Sequence, residues 1–397
     1  MKKPTLYILS AIALVACGKQ ADDTSTTDTS TVDTGTVTTD TGTIDTGTID
    51  TGTTDTGTTV VEPDQTTAVV VTSDYTVYGL STVNIGDRVV TPNITTLPGS
   101  SIVKTINDEV YNINQLGVDT VRVYTPGDWS TPAREWSVGD GTANPHDGVI
   151  CDGNVFISLY GGATINAYHP ETGAFTGAVD VSSFADTSNG PDFDGIPEVA
   201  NLACVDNTLY AVAQQLYNWE PVGGLLIEID PVSMTVSDSY AVGPNPKMIV
   251  DPTTEGSLII TSGAYYAADG GVMTFDTASG LLSDFQVSES DINMDITAFS
   301  SDENGNAILI GSNLDNFGDS YHIFCVDMND WSMMEGAALN TYLIDVTTND
   351  LGEAWILGRT HWNYPNRPGA VFVWDAETCT ESERIPFDLD PYSITFY

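Results

Sequence analysis

The chain has 397 residues, with 11 Lys and Arg against 55 Asp and Glu and a formal net charge of −44. So acidic a surface repels polyphosphate, so nucleic acid is excluded as a partner. Hydrophobic residues make up 41% of the chain, enough for a sizeable core, but they are unevenly spread.

The chain opens Met1-Lys2-Lys3, runs apolar from Leu6 to Ala16 and reaches Cys17. Two lysines, a short apolar run and small residues before a cut site read as an export signal. The run falls short of the roughly 20 residues that a bilayer-spanning helix needs. Residues 18–65 contain "TDTGTIDTGTIDTGTTDTGTT", with ten acids, the single base Lys19 and no aromatic residue. Such a segment cannot bury enough surface to offset the entropy of ordering it, so a disordered tether is expected. As a flexible coil it would span about 35–40 Å. Single acids five residues apart do not supply the six to eight oxygens of a Ca²⁺ cage.

Residues 66–397 carry the fold. A short strand phrase ending near Asp or Pro and a turn recurs there. It reads "STVNIGD", "VRVYTPG", "INAYHPETG", "LIEIDPVS", "VMTFDTASG", "IFCVDMND" and "VFVWDAET". Copies stand roughly 40–60 residues apart, near the period of a four-stranded propeller blade. β-branched and aromatic enrichment with Gly, Asn and Asp turns indicates antiparallel hairpins, and no useful stretch has a helical period. The body begins "AVVVTSDY", matching a second strand, and ends "PYSITFY", matching the missing first strand. The expected fold is all-β: a seven-bladed β-propeller closed by pairing of its N- and C-terminal strands, preceded by the disordered linker.

Besides Cys17, four cysteines remain: Cys151, Cys204, Cys325 and Cys379. An even count in an exported chain suggests disulfides, with three connectivities open. The blade register puts Cys151 beside Cys204 and Cys325 beside Cys379; four buried thiols are the plainer alternative. With residues 1–65 set aside, the body holds 45 acids and eight bases.

In a propeller, the loops joining strand four to the next strand one share a face with those joining strands two and three. The first set offers His146 and the carboxylates Asp147, Asp194, Glu198, Asp295 and Asp390, which could hold a cation at the channel mouth. The second set carries Tyr217, Trp219, Tyr265, Tyr266, His361, Trp362 and Tyr364. Aromatic faces beside Asn, Gln and Asp suit a glycan, a peptide or a partner protein; packing of the insertions onto blade rims is the bland reading. In "ADTSNGPDFDG", Asp186, Asp192 and Asp194 could ligate Ca²⁺, although the EF-hand spacing is missing and a solvated loop explains them as well. The four histidines are scattered, and no HExxH, GxSxG or phosphate-binding glycine loop occurs. A non-catalytic binding module is therefore expected, with a cation-dependent, lactonase-like hydrolase using His146, Asp147 and Glu198 as the alternative.

Two resemblances add to this. "LVAC" at residues 14–17 resembles the lipobox of bacterial lipoproteins, which implies a signal over residues 1–17 and lipidation of Cys17. It also implies anchoring in the bacterial cell envelope, at the outer membrane or cell surface. Two or more acyl chains make such an anchor stable. "NVFISLYGGATINAYHPETGAF" and "NTLYAVAQQL" resemble the YVTN-type seven-bladed propellers of bacterial envelope proteins. Their roles range from binding to enzymatic, so that resemblance implies a fold and no single activity.

Overall fold

A computed structural model describes residues 65–186, 195–217, 220–314, 320–339, 341–360 and 368–397. Seven antiparallel sheets of at least four strands follow one another in order around a ring. Blade one is Asp390–Phe396, Thr67–Ser73, Tyr78–Asn84 and Val90–Leu97. Blade two is Ser101–Ile106, Glu109–Asn114, Thr120–Tyr124 and Arg134–Ser137. Blade three is Pro145–Cys151, Asn154–Leu159, Thr164–Tyr168 and Phe175–Asp180. Blade four is Val199–Val205, Thr208–Ala213, Leu225–Asp230 and Thr235–Ala241. Blade five is Lys247–Val250, Ser257–Ser262, Gly271–Asp276 and a broken fourth strand, Leu281–Leu282 with Val287–Ser288. Blade six is Met294–Ser301, Asn306–Asn313, Tyr321–Asp327 and Ser332–Leu339. Blade seven is Tyr342–Thr348, Glu353–Arg359, Ala370–Asp375 and Thr380–Pro386. All seven recurring phrases fall on third strands.

Local chemistry explains the hairpins. The first turns of blades two, three and four place Asn107-Asp108, Asp152-Gly153 and Asp206-Asn207 at positive φ. Two consecutive left-handed residues make the turn whose twist matches paired strands, and these residue types tolerate it best. Each sheet has two faces to bury, and seven apolar clusters fill the seven gaps between neighbouring blades. Val69, Val71 and Leu80 meet Val103 and Tyr124 between blades one and two, and Trp355 and Val371 meet Ile394 and Phe396 between seven and one.

Ring closure occurs within blade one. The C-terminal strand pairs antiparallel with Thr67–Ser73, from Ala68 opposite Phe396 to Ser73 opposite Asp390. The register shifts between Val71 and Thr72, where Thr72 faces Pro391; proline cannot donate to the ladder, so an irregularity there is expected. Both proposed disulfides form, Cys151–Cys204 joining blades three and four and Cys325–Cys379 joining six and seven.

Three local features depart from the sequence reading. Ser182–Phe184 forms a 3₁₀ turn, Glu289–Ile292 forms one helical turn capped by Ser288, and Leu216–Tyr217 pairs with Glu220–Pro221. All lie in connections too short to show a helical or strand period.

Candidate binding site at the propeller mouth

Strand-two-to-three loops and strand-four-to-one connections meet on one face. Gln115 N donates to Ser100 O, Tyr160 N to Asn144 O, Gln214 N to Glu198 O and Gly263 N to Pro244 O. Carboxylates tighten the same face. Asp119 accepts from Gly141, Ala143 and Asn144 N–H at 2.7–3.1 Å. Glu198 accepts from Leu216 N at 2.8 Å. Asp390 accepts from Thr360 N, Thr360 Oγ1 and Gly369 N.

The loop 263–270 of blade five is clasped most heavily. Tyr266 N donates to Asp295 Oδ2, Gly270 N to Glu289 Oε2, and Ile296 N to Glu289 Oε1, each at 2.8 Å. Ala264 N donates to Asp269 Oδ1 at 2.9 Å. Gly270 is obligatory, since a Cβ there would lie 1.8 Å from Ser262 O, while one on Gly263 would lie 2.4 Å from Glu289 Oε1 and would have to displace that clasp. Tyr266 holds φ 64°, a left-handed conformation that is costly for a bulky residue and that the surrounding bonds must enforce.

That loop borders a cavity of about 180 Å³ between blades five, six and seven. Tyr265, Tyr321 and Tyr342 supply its rings, and Asn245, Lys247 and Glu289 are among its polar walls. Tyr321 and Tyr342 meet edge to face with centroids 6.0 Å apart. Tyr265 lies within electrostatic reach of Tyr160 of blade three and of Tyr342 of blade seven, which places it over the mouth. Burial pushes the Glu289 carboxyl up to about 7 against its two N–H donors, and raises Asp295 as well. Burial likewise raises the hydroxyls of Tyr321 and Tyr342, and desolvation at the mouth raises that of the half-exposed Tyr265, so all three stay protonated donors.

Of the residues read as ligand-binding, Tyr265 and Tyr266 share this loop, and Tyr217 stands on the blade-four insertion. Trp219, His361, Trp362 and Tyr364 lie outside the described residues, as do Cys17, Asp192 and Asp194. Six aromatic side chains are markedly exposed among the described residues, and four of them, Tyr75, Tyr217, Tyr265 and Tyr266, sit on strand-two-to-three loops of this face.

The channel-mouth residues take separate places. Asp147 bonds Lys104 Nζ and Gly148 N through Oδ1 and Leu202 N through Oδ2, linking first strands of blades two, three and four. His146 stacks on Tyr160 at 4.0 Å, and burial alone pushes its imidazole down to about 4. Glu198, Asp295 and Asp390 each clasp a different loop. Among the described residues, no three His, Cys, Asp or Glu side chains converge as a metal ion requires. Sequence reasoning missed Lys247, Glu289, Tyr321 and Tyr342. Tyr342 could have been found by blade alignment, since it opens a first strand as His146 and Tyr392 nearly do.

No protein-family model matches the chain, and no curated protein matches it in sequence. Solved structures do resemble it. A Bacteroides fragilis protein assigned provisionally as a 6-phosphogluconolactonase aligns at TM-score 0.57 and 15% identity, over 84% of this chain and 98% of its own. A protein of unknown function from Desulfotomaculum acetoxidans aligns at 0.54 and 8%, over 83% and 98%. Hydrazine synthase of Kuenenia stuttgartiensis aligns at 0.51 and 14%, over 80% and 98%. At such identities the likeness speaks for the propeller fold alone.

Proposed function

We propose that this chain is a lipid-anchored envelope protein whose propeller is a binding module for a glycan, peptide or protein partner. In this reading residues 1–17 direct export and lipidation at Cys17, residues 18–65 form the tether, and residues 66–397 present the binding face. The observation that carries it is the gathering of exposed tyrosines on one face, around a cavity whose loop is clasped by three buried or hydrogen-bonded carboxylates. Rings displayed on a rigid loop lose little entropy on binding, which is what a recognition surface requires. The test is capture by the full chain on glycan and peptide arrays, compared with Tyr265→Ala/Tyr266→Ala. Loss of capture with an unchanged melting temperature supports the reading; equal capture by both proteins removes it.

A hydrolase at the mouth is the second reading. It is favoured by Glu289, whose pKa of about 7 falls in the range suited to general acid–base work. Its proposed residues His146, Asp147 and Glu198 are engaged elsewhere, and an esterase and lactonase screen before and after chelation tests it.

A further inference from the structure

Seven lysines and arginines of the body lie among the described residues. Arg88, Lys104, Arg122, Arg134 and Arg384 each pair with a carboxylate. Lys247 and Arg359 do not, in a body where acids outnumber bases 45 to eight. Both stand near Tyr342, and Lys247 also lies within electrostatic reach of Asp345, beyond salt-bridge distance. Lys247 lines the cavity and donates to Thr297 O at 2.6 Å. Arg359 lies directly opposite Tyr342 in the strand pairing of blade seven.

Arg359 is the more telling of the two. It is only 2% exposed, its Nη2 donates to Ser73 O at 3.1 Å, and its Nε has no acceptor among the described residues. Tyr75 and Tyr392 cover its guanidinium at 4.0 and 5.1 Å from the ring centroids. Burying a guanidinium without a counter-charge is costly, and an orphaned donor adds to that cost. Cation–π stacking offsets part of it and supplies no acceptor. Tyr75, the cover on the solvent side, is 66% exposed on a loop tip, so little packing holds its ring in place.

We infer that the mouth takes a uronic-acid-type sugar, its carboxylate facing Arg359 and Lys247 and its ring lying against Tyr265 and Tyr342. This rests on the binding-face reading and narrows its ligand. Arginine is suited to a planar carboxylate, and tyrosine faces with side-chain amides and hydroxyls suit a sugar ring. The cavity's acids temper this attraction: Asp295 Oδ1 is buried with no hydrogen-bond donor among the described residues, and Asp345 stands within electrostatic reach of Lys247. Glu289 spends both oxygens, and Asp295 one, on backbone N–H groups, and burial favours the neutral form of each.

The experiment is calorimetric titration of the full chain in detergent with methyl glucuronide and, separately, methyl glucoside. The wild type is expected to bind the glucuronide at least ten-fold more tightly. Arg359→Gln and Lys247→Met should each lower that preference about ten-fold; Lys247 is solvent-facing, so its substitution keeps the test valid if Arg359→Gln fails to fold. Equal binding of both sugars, sensitive to Tyr265→Ala, would overturn the carboxylate claim and leave the binding face standing. Binding of neither sugar, alongside array capture that Tyr265→Ala/Tyr266→Ala abolishes, would overturn it as well.

Discussion

Removing residues 391–397 should cost this propeller most of its stability, because the last strand is both the inner strand of blade one and half of two inter-blade contacts. Ile394 and Phe396 are buried against Trp355, whose ring meets Phe396 edge-on at 5.3 Å. Truncating one buried Phe to Ala costs about 3–5 kcal/mol and one Ile about 2–5. Ser393 Oγ and Thr395 Oγ1 accept from Val103 and Thr105 N–H of blade two; stranding each donor adds about 1–3 kcal/mol. The sum reaches the roughly 5–15 kcal/mol of a typical domain. Phe396→Ala is the gentler version, with an expected loss of about 3–5 kcal/mol read from the urea midpoint at unchanged slope. A loss below about 1 kcal/mol for Phe396→Ala, or a truncated chain melting with the wild type, would refute the closure argument.

Reduction of the two disulfides should destabilise the body even though both lie in packed regions. Each closes a loop of 53 or 54 residues, worth about 4 kcal/mol on the chain-entropy account; denaturation with and without reductant checks it. Glu289 and His146 should act oppositely on acidification. Glu289 has a folded pKa near 7 against 4.5, so the fold takes up its proton first and gains stability as pH falls from 7 towards 4.5. His146 has a folded pKa near 4 against 6.5, so the fold loses stability as pH falls through 6.5. Glu289→Gln should therefore steepen acid destabilisation and His146→Phe should flatten it, with slopes of at most about 1.4 kcal/mol per pH unit; profiles unchanged in both variants would remove both assignments. Cys17→Ser should shift the protein from the membrane to the soluble fraction, and retention on membranes would remove the lipid anchor.

Much of the fold was legible because it is written locally and repeated. The third-strand phrase sets a ruler, and the mismatch of "AVVVTSDY" with a first strand, answered by "PYSITFY", foretold the closure. The same ruler brought Cys151 to Cys204 and Cys325 to Cys379. The site was less legible because a carboxylate that binds a cation and one that clasps a loop are the same residue type. Asp295 and Asp390 are expected at the channel mouth from the blade register, but their backbone N–H partners depend on how a neighbouring loop folds back. Glu289 was hidden in a single helical turn. Arg359 and Lys247 became conspicuous only by lacking a carboxylate at salt-bridge distance among the described residues, which composition cannot reveal.

The central claim is that the tyrosine-bearing face receives the ligand, and amide hydrogen exchange of the full chain with and without an array-captured ligand tests it most directly. The account predicts slowed exchange in 263–270 and 341–345, with neighbouring strand-two-to-three loops following. Slowing confined to the turns around Asp152-Gly153 and Asp206-Asn207 on the opposite face, or none anywhere, would contradict it.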